Sequence, residues 1–505
     1  MDIIKIQKLN EVYLRVRSDE RSVLREMSDH FTFEVPGFRF MPAYRHGTWD
    51  GKIRLFNIQD GTIYAGLVSY INTFAEERGY VVEHEEEPDA DENISVHEAV
   101  EFIDSLNLPT EFTPRNYQVD AFVSAIRKQR MLLLSPTGSG KSLIIYLLTR
   151  FYLEAQNKKI LIIVPTTSLV AQMSKDFEEY GMPSSIGIHQ IMSGRPKETE
   201  CPIVISTWQS LFRLRKEYFE QFGMVVVDEC HGVKAKSLTG ILSKMPNIKY
   251  RFGTTGTLDG MQTNRLVIEG LLGPVRKVTE TKTLIDEKVL SDFVVKAIIL
   301  KHEEKVSSRL KYQEEINYLV GCESRNAFIK NLTLSLKGNT LLLFNYIEKH
   351  GVPLFNMIRD NVSSDDRKVF FVHGGTNVAD RENVRALVEK EDDAIIVASV
   401  GVYSTGINIR RLSNVIFAHP GKSRIRTLQS IGRTLRKADD VDNNEAVLYD
   451  IVDDLSAGRK TRNFAMKHYQ ERFAIYKSEK FRVKSYNIKL SQQKGVYSKD
   501  GKEKN

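Results

Sequence analysis

The sequence predicts an α/β protein built from two tandem parallel-sheet domains, with a small α/β module in front and a short basic helical extension behind. The first observation is Ser135-Pro-Thr-Gly-Ser-Gly140-Lys141-Ser142, which lies between the apolar runs 131–134 and 143–148 and reads as strand, small-residue loop, helix. The second is a recurrence of near-continuous apolar runs, at 131–134, 160–164, 203–205 and 224–227, then at 340–344, 368–372, 395–398, 414–418 and 446–451. Strands without polar alternation are covered by helices on both faces, which is the signature of parallel sheets. The third is an interval at 83–92 with seven acidic residues in ten around Pro88, whose like charges extend the chain and mark a boundary.

A chain of 505 residues exceeds what one hydrophobic core supports and divides into several domains. Residues 1–82 alternate short strand-like runs at 12–16 and 52–56 with a helix-like stretch near 21–29, the plan of a small α/β module. Residues 83–94 are then an acidic linker, 95–282 and 283–455 the two sheet domains, and 456–505 the extension. That extension carries 14 Lys or Arg against 4 Asp or Glu, while the whole chain is +7, so the first 455 residues sum to −3. A basic end of this kind suits a polyanion, because neutralised phosphates release counterions. Within it, Phe464, Met466, Tyr469, Phe473 and Ile475 have the spacing of an amphipathic helix that docks on the second domain, with Lys467 and Arg472 left for phosphates. Residues 494–505 read as disordered.

Composition also excludes classes. No run of some 18 uncharged apolar residues occurs, and the start Met1-Asp-Ile-Ile-Lys5 lacks the basic-then-apolar plan of a secretion signal, so the expectation is a soluble intracellular protein with no membrane partner. Cys201, Cys230 and Cys322 stand far apart, which gives neither a disulfide frame nor a zinc site.

The chemistry-bearing residues begin with the loop. Small residues let backbone N–H groups curl around phosphates, Lys141 reaches the β and γ oxygens, and the Ser142 hydroxyl meets magnesium at a helix N-terminus whose dipole favours anions. Thr137, Gly138, Ser139 and Gly140 complete the cradle, with Ser135 where the general pattern has its first glycine. The implied cofactors are ATP and Mg2+. A second constellation, Val225-Val-Val-Asp228-Glu229-Cys230-His231, ends an apolar strand in two carboxylates 87 residues after Lys141. Asp228 is expected to hold the metal and Glu229 to polarise the water that attacks the γ-phosphate.

Asp228-Glu229-Cys230-His231 reads as a DExH box, and over roughly residues 110–440 the chain resembles superfamily 2 helicases and nucleic-acid translocases. The resemblance implies two RecA-like motor domains. Arg115-Asn-Tyr117-Gln118 is similar to the family's adenine-reading segment. Pro165-Thr166-Thr167-Ser168 and Ser206-Thr207-Trp208-Gln209-Ser210 resemble the motifs that hold the nucleic-acid backbone. Thr255-Gly256-Thr257 is similar to the Ser-Ala-Thr element that couples hydrolysis to strand movement. In the second half, Ser404-Thr405-Gly406-Ile407-Asn408 looks like motif V and Gln429-Ser-Ile-Gly432-Arg433-Thr-Leu-Arg436 like motif VI. The resemblance makes Gln429, Arg433 and Arg436 catalytic, with the two arginines as fingers on one helix face worth about 10³–10⁵ in rate. It gives Gly406 to the nucleotide and Thr405 to the strand.

The DExH variant followed by Gly-Ile-Asn-Ile is closer to DNA translocases than to RNA chaperones, and the whole-chain order resembles the phage UvsW branched-DNA helicase family. That implies branch migration of forks, junctions and RNA–DNA hybrids during replication, recombination or repair, in the cytoplasm of a bacterial host if the protein is phage-encoded. The same-fold alternative is an RNA or RNA–DNA helicase; from another class, an inactive nucleic-acid-binding scaffold. Protein partners are not legible. Independently of the resemblance, Phe38-Arg39-Phe40 and Tyr44-Arg45-His46-Gly47-Thr-Trp49-Asp-Gly51-Lys52-Ile-Arg54 interleave aromatics with cations, which suits stacking on bases while neutralising phosphates. Arg39, Arg45, Trp49, Lys52 and Arg54 are therefore expected DNA contacts. The alternative is a hairpin whose Phe and Trp fill a core and whose arginines are solvated.

Overall fold

The computed structural model describes residues 2–490 except 36, 86–93, 137, 157, 193, 195, 233–234, 257, 259–261, 290–291, 303–309, 363–366, 403–411, 420–444 and 457–461. The chain forms two compact units, Met1–Ser135 with Gly140–Thr279, and Glu280–Asn505 with Pro136–Ser139.

The first unit opens with β1 (Ile3–Lys8), β2 (Tyr13–Arg17), β3 (Thr32–Glu34), β4 (Lys52–Arg54), β5 (Thr62–Tyr64) and β6 (Val81–His84). Four of these form a mixed sheet in the order β5-β2-β1-β6, and β3 pairs with β4 as a separate antiparallel ribbon. Alternation decides which face is covered. Ile4, Ile6, Leu14 and Val16 point inward and meet Val23 and Met27 of the helix Arg21–His30 and Ile71 and Phe74 of the helix Val68–Arg78. Because β6 runs to His84 beside β1, the first residues of the stretch read as linker belong to the sheet; 86–93 lie outside the described residues.

This module does not stand alone. Its core is continuous with Leu132 and Val225 of the sheet that follows and with Leu271 and Leu272 of the helix Gln262–Leu272. The Tyr70 hydroxyl donates to the buried Glu269 at 2.7 Å, Arg130 donates to the carbonyl of Glu11 at 2.9 Å, and a Cβ on Gly66 would come within 2.1 Å of the Glu269 carbonyl oxygen. Such an approach admits only glycine.

The sheet that follows comprises β7 (Arg130–Leu134), β8 (Lys159–Val164), β9 (Ile188–Ile191), β10 (Ile203–Thr207), β11 (Phe222–Val227), β12 (Tyr250–Thr255) and β13 (Val275–Lys277). Its order is β13-β7-β12-β11-β8-β10-β9, with every pairing parallel. The second unit repeats the plan with β14 (Asp292–Lys301), β15 (Thr340–Phe344), β16 (Val369–Val372), β17 (Ile395–Ser399), β18 (Asn414–Phe417), β19 (Glu445–Asp454) and β20 (Arg482–Lys489), in the order β16-β17-β15-β18-β19-β14-β20 and again parallel throughout. These are two RecA-like sheets, and ligands bind such sheets outside the carboxyl ends of their strands.

The C-terminal residues hold more than the helix expected. The helix Phe464–Ser478 covers the second sheet through Tyr469, Met466 and Phe473 against Ala297 and Val452, and β20 then adds an edge strand along β14. Arg472 is not left for phosphates: at 2% exposure it pairs with both oxygens of the buried Asp450, at 2.8 and 2.9 Å. A charge at a core position of the helix is tolerable only when paired there.

Candidate nucleotide site and nucleic-acid face

Every residue of the first constellation hangs from the carboxyl end of a parallel strand. After β7 the Ser135 N–H donates to the Thr255 carbonyl at 2.8 Å, which fixes where the phosphate loop leaves the sheet. The loop turns through Gly138 and Gly140, at φ of 87° and 78°, and Ser139 braces it by donating its hydroxyl to the Pro136 carbonyl at 2.6 Å. Lys141 then begins the helix Lys141–Ala155. Its Nζ lies 3.3 Å from the Ser135 carbonyl and 3.1 Å from Oε1 of Glu229. The Ser142 hydroxyl faces the same end of the helix and hydrogen-bonds Tyr180 Oη at 2.9 Å.

Asp228 and Glu229 leave β11 two strands away. The Asp228 N–H donates to the Ile163 carbonyl at 2.8 Å, and its Oδ1 accepts from the Thr254 hydroxyl at 2.5 Å. Glu229 holds φ of +47°, a left-handed conformation that costs a non-glycine residue about 1–3 kcal/mol and persists only where the surroundings impose it. Those surroundings are specific. Oε1 meets Lys141, while Oε2 lies 3.3 Å from Nδ1 of His231 and accepts from the Gly256 N–H at 3.5 Å. His231 Nδ1 also shares a hydrogen bond with the Thr255 hydroxyl at 2.5 Å. One network therefore joins the DExH carboxylate to the Thr255-Gly256 segment at the end of β12.

Electrostatics separate the two carboxyls. Burial, followed by the neighbouring Glu229 charge, raises Asp228 to about 6. Burial also pushes Glu229 upward, but Lys141 and His231 outweigh it and hold Glu229 below the usual carboxylate range. The first is a buried anion short of positive charge; the second stays ionised and able to accept a proton.

Gln118 occupies an unexpected place. It is 1% exposed, its Oε1 accepts from the Arg115 N–H at 2.8 Å, and its Nε2 donates to the Gly140 carbonyl at 3.4 Å. A Cβ on Gly140 would come 2.3 Å from that Nε2. The amide thus also braces the phosphate loop, and Arg115 Nη1 lies 3.5 Å from the Tyr117 hydroxyl.

Three family models match consecutive parts of the chain: DNA helicase UvsW, N-terminal, at 3–85; type III restriction enzyme, res subunit, at 111–260; and helicase conserved C-terminal domain at 323–438. The ATP-dependent DNA helicase uvsW of Enterobacteria phage T4 is 35% identical, over 95% of this chain and 98% of that protein. The chain belongs to the UvsW helicase family. The crystal structure of T4 UvsW covers 97% of this chain and all of its own at 32% identity, with a TM-score of 0.51. The DNA 3'-5' translocase XPB2 of Sulfurisphaera tokodaii is 23% identical over 72% of this chain and 87% of its own. Membership in this helicase family entails ATP use.

Other residues expected from the family resemblance divide by exposure. Pro165 and Thr166 are half-buried and Thr167 is exposed at the end of β8, and the Thr166 hydroxyl caps the helix Thr167–Glu179. At the end of β10 both Ser206 and Thr207 are buried: the Ser206 hydroxyl donates to the Thr207 carbonyl at 3.3 Å and the Thr207 hydroxyl shares a hydrogen bond with that of Ser210 at 3.1 Å, so neither of these two expected contacts offers a strand any surface. Thr137, Thr257, Thr405, Gly406, Gln429, Arg433 and Arg436 lie outside the described residues.

The basic-aromatic segment is an excursion closed by the β3–β4 ribbon, and its aromatics do not build a core. Phe40 is 77% exposed, Phe38 packs edge-on to Tyr44 with centroids 4.7 Å apart, and Arg39 lies 5.7 Å from the Phe38 ring centre. Trp49 is half-buried and donates to the Lys52 carbonyl at 2.8 Å. Arg45 and Lys52 are exposed, and Arg54 pairs with Asp50 at 2.5 Å.

Sequence reasoning left His231, Thr254 and Tyr180 without roles. The box letters include His231, but its link to Thr255 spans 24 residues and has no local signature. Among the described residues no helix is long and apolar enough to cross a membrane.

Proposed function

We propose that this chain is an ATP-dependent DNA helicase that remodels forks, junctions and RNA–DNA hybrids by branch migration, inside the cell that hosts replication, recombination or repair. The observation that carries the motor half of this reading is the Lys141–Glu229–His231–Thr255 network. Glu229, kept ionised by Lys141 and His231, accepts the proton of the attacking water as its oxygen bonds to the γ-phosphorus and the bond to ADP breaks. Loss of the phosphate changes what Lys141 and Glu229 face, and His231 and Gly256 pass that change to the end of β12 and Thr257. The DNA half rests on the family and on the exposed cations and aromatics of the β3–β4 excursion.

The residues present fit Mg2+. Asp228 is a buried carboxylate under repulsion from Glu229, and the Ser142 hydroxyl stands at the loop that holds the phosphates. Bound there, the metal neutralises phosphate charge during transfer. Gln429, Arg433 and Arg436 are assigned to hydrolysis, and Thr405 and Gly406 to strand and nucleotide, by their motifs alone. In this reading residues 1–82 are the accessory DNA-binding domain, 83–94 its linker, 95–282 and 283–455 the motor domains, and 456–505 the basic extension. Arg39, Arg45, Trp49, Lys52 and Arg54 contact DNA from the accessory domain, with Pro165, Thr166 and Thr167 from the first motor domain.

The test is steady-state ATP hydrolysis with a four-way DNA junction, single-stranded DNA or structured RNA, in wild type and Glu229→Gln. Junction stimulation that falls by about 10²-fold or more in the variant supports the reading. Stimulation by RNA alone replaces it with an RNA helicase, and no hydrolysis with any polymer replaces it with a binding scaffold. For the accessory domain, Arg45→Ala with Lys52→Ala lowers junction affinity and flattens its salt dependence by about two ions; an unchanged slope removes those residues from the DNA contact.

A further inference from the structure

Beyond β10 the chain builds a cavity that the nucleotide site does not use. Its volume is about 470 Å³, within the usual range of ligand pockets. Trp208, Phe212 and Met192 supply apolar lining, and Gln209, Lys197 and Arg213 supply polar and charged lining. Trp208 opens the short helix Trp208–Leu211 directly after Thr207 and packs against the apolar core as well as bordering the cavity. Phe212 is 40% exposed, a large apolar ring kept at the surface.

The walls are fixed from behind. Lys244 donates to the Phe212 and Leu214 carbonyls at 3.0 and 2.7 Å, and a Cβ on Gly240 would sit 3.0 Å from the Phe212 ring, so the turn carrying Phe212 and Arg213 is tied to the helix Ala235–Leu242 and its C-terminal end. In the other lining segment the Tyr218 hydroxyl donates to the Lys197 carbonyl at 3.0 Å, and His189 Nε2 holds the Pro196 carbonyl at 2.9 Å. Lys197 and Arg213 are exposed and make no ion pair among the described residues.

We propose that this cavity is a nucleobase pocket: one base of a bound single strand leaves the stack, enters, and lies against Trp208, while Lys197 and Arg213 meet the phosphates on either side of it. The proposal rests on the helicase reading and deepens it. A π-face accepts every base, so the pocket is sequence-tolerant, and paired cations without carboxylates match a polyanion that brings its own charge. Its place explains its use. Trp208 and the exposed Gln209 lie in the segment that resembles a backbone-holding motif, so a captured base anchors the strand beside that contact. A base held this way resists slipping while the backbone contacts are exchanged.

The test uses the full chain with two probes, a 20-nucleotide oligothymidylate and a 20-unit abasic deoxyribose-phosphate strand, titrated by fluorescence anisotropy. Wild type is expected to bind the thymidylate at least about fivefold more tightly than the abasic strand. Trp208→Phe keeps most of that ratio, and Trp208→Ala brings it to about one. Lys197→Ala with Arg213→Ala weakens both probes alike and leaves the ratio intact. Should Trp208→Ala fail to fold, wild type photocrosslinked to an oligonucleotide carrying 5-iododeoxyuridine keeps the question decidable, because the pocket predicts the crosslinked peptide at Trp208. An unchanged ratio in Trp208→Ala, or crosslinks that avoid residues 192–213, overturns the pocket and leaves the helicase standing. Wild-type binding to neither probe overturns the pocket, and only the loss of polymer-stimulated hydrolysis as well overturns the helicase reading.

Discussion

Replacing Asp228 with Asn isolates the electrostatic tension at the nucleotide site. The wild-type carboxyl is 7% exposed and lifted from 3.8 to about 6, first by burial and then by Glu229. A folded-state value about two units above the unfolded one corresponds to about 3 kcal/mol of stability that the folded protein forgoes once the group ionises. Below about pH 4 the group is protonated in both states and carries no penalty. As pH rises from about 4 to about 6 the unfolded chain releases its proton first, so wild-type stability falls, and above 6 the loss is complete. Asn keeps an oxygen to accept from Thr254 and has no charge to bury. Asp228→Asn without nucleotide is therefore expected to stabilise the first unit by about 1–3 kcal/mol at pH 7.5, a rise of roughly 3–9 °C in its transition, while ATP hydrolysis is abolished. Scanning calorimetry of both proteins from pH 4 to 8 reads the difference. A variant no more stable than wild type at pH 7.5, or a gap that does not grow between pH 4 and 6, refutes the argument.

Three further outcomes follow from buried polar groups. Arg472→Met leaves Asp450 buried with only the Tyr476 hydroxyl at 2.9 Å and should cost about 3–5 kcal/mol; adding Asp450→Asn should recover much of it, and recovery of none would mean that Arg472 acts through packing. His302, 2.9 Å from Asp453, is pulled down by burial, but its bonds to Asp453 and Cys322 prevail and raise it to about 9. Its contribution is complete below about pH 6.5 and lost as pH rises to about 9, so the stability gap between wild type and His302→Gln should close over that window by about 3 kcal/mol; a constant gap in chemical denaturation would contradict it. Tyr70→Phe removes the hydroxyl on the buried Glu269 and should lower the transition of the first unit by about 1–2 kcal/mol, whereas a module melting separately in calorimetry would show that the shared core does not couple it.

Much of the site was legible because its parts are local. Small residues and Lys141 fall within eight positions after an apolar strand, and Asp228 and Glu229 follow another directly. The carboxyl end of a buried parallel strand is where such residues become useful, so one-dimensional order sufficed. The helix Phe464–Ser478 was legible for the same reason, from its apolar spacing. Arg472 was misread because periodicity marks a face without identifying what packs on it; Asp450, 22 residues earlier on β19, turns an apparent phosphate ligand into an internal ion pair. The hold of Gln118 on the Gly140 carbonyl was not legible for the same reason, since the two residues are 22 positions apart.

The sequence by itself determined the fold class, the two-sheet plan, the phosphate loop and the DExH pair, since each is a contiguous pattern whose physical cause, burial on both faces or a turn into a helix, acts within a few residues. Only the tertiary structure decided that the N-terminal module shares its core with the first motor sheet, that His231 ties Glu229 to Thr255, that Ser206 is withdrawn from the surface, and that Trp208 borders a cavity. Those outcomes depend on which strands lie side by side. Neighbours in a parallel sheet are joined by long crossovers, so the groups they bring together leave no trace in local spacing.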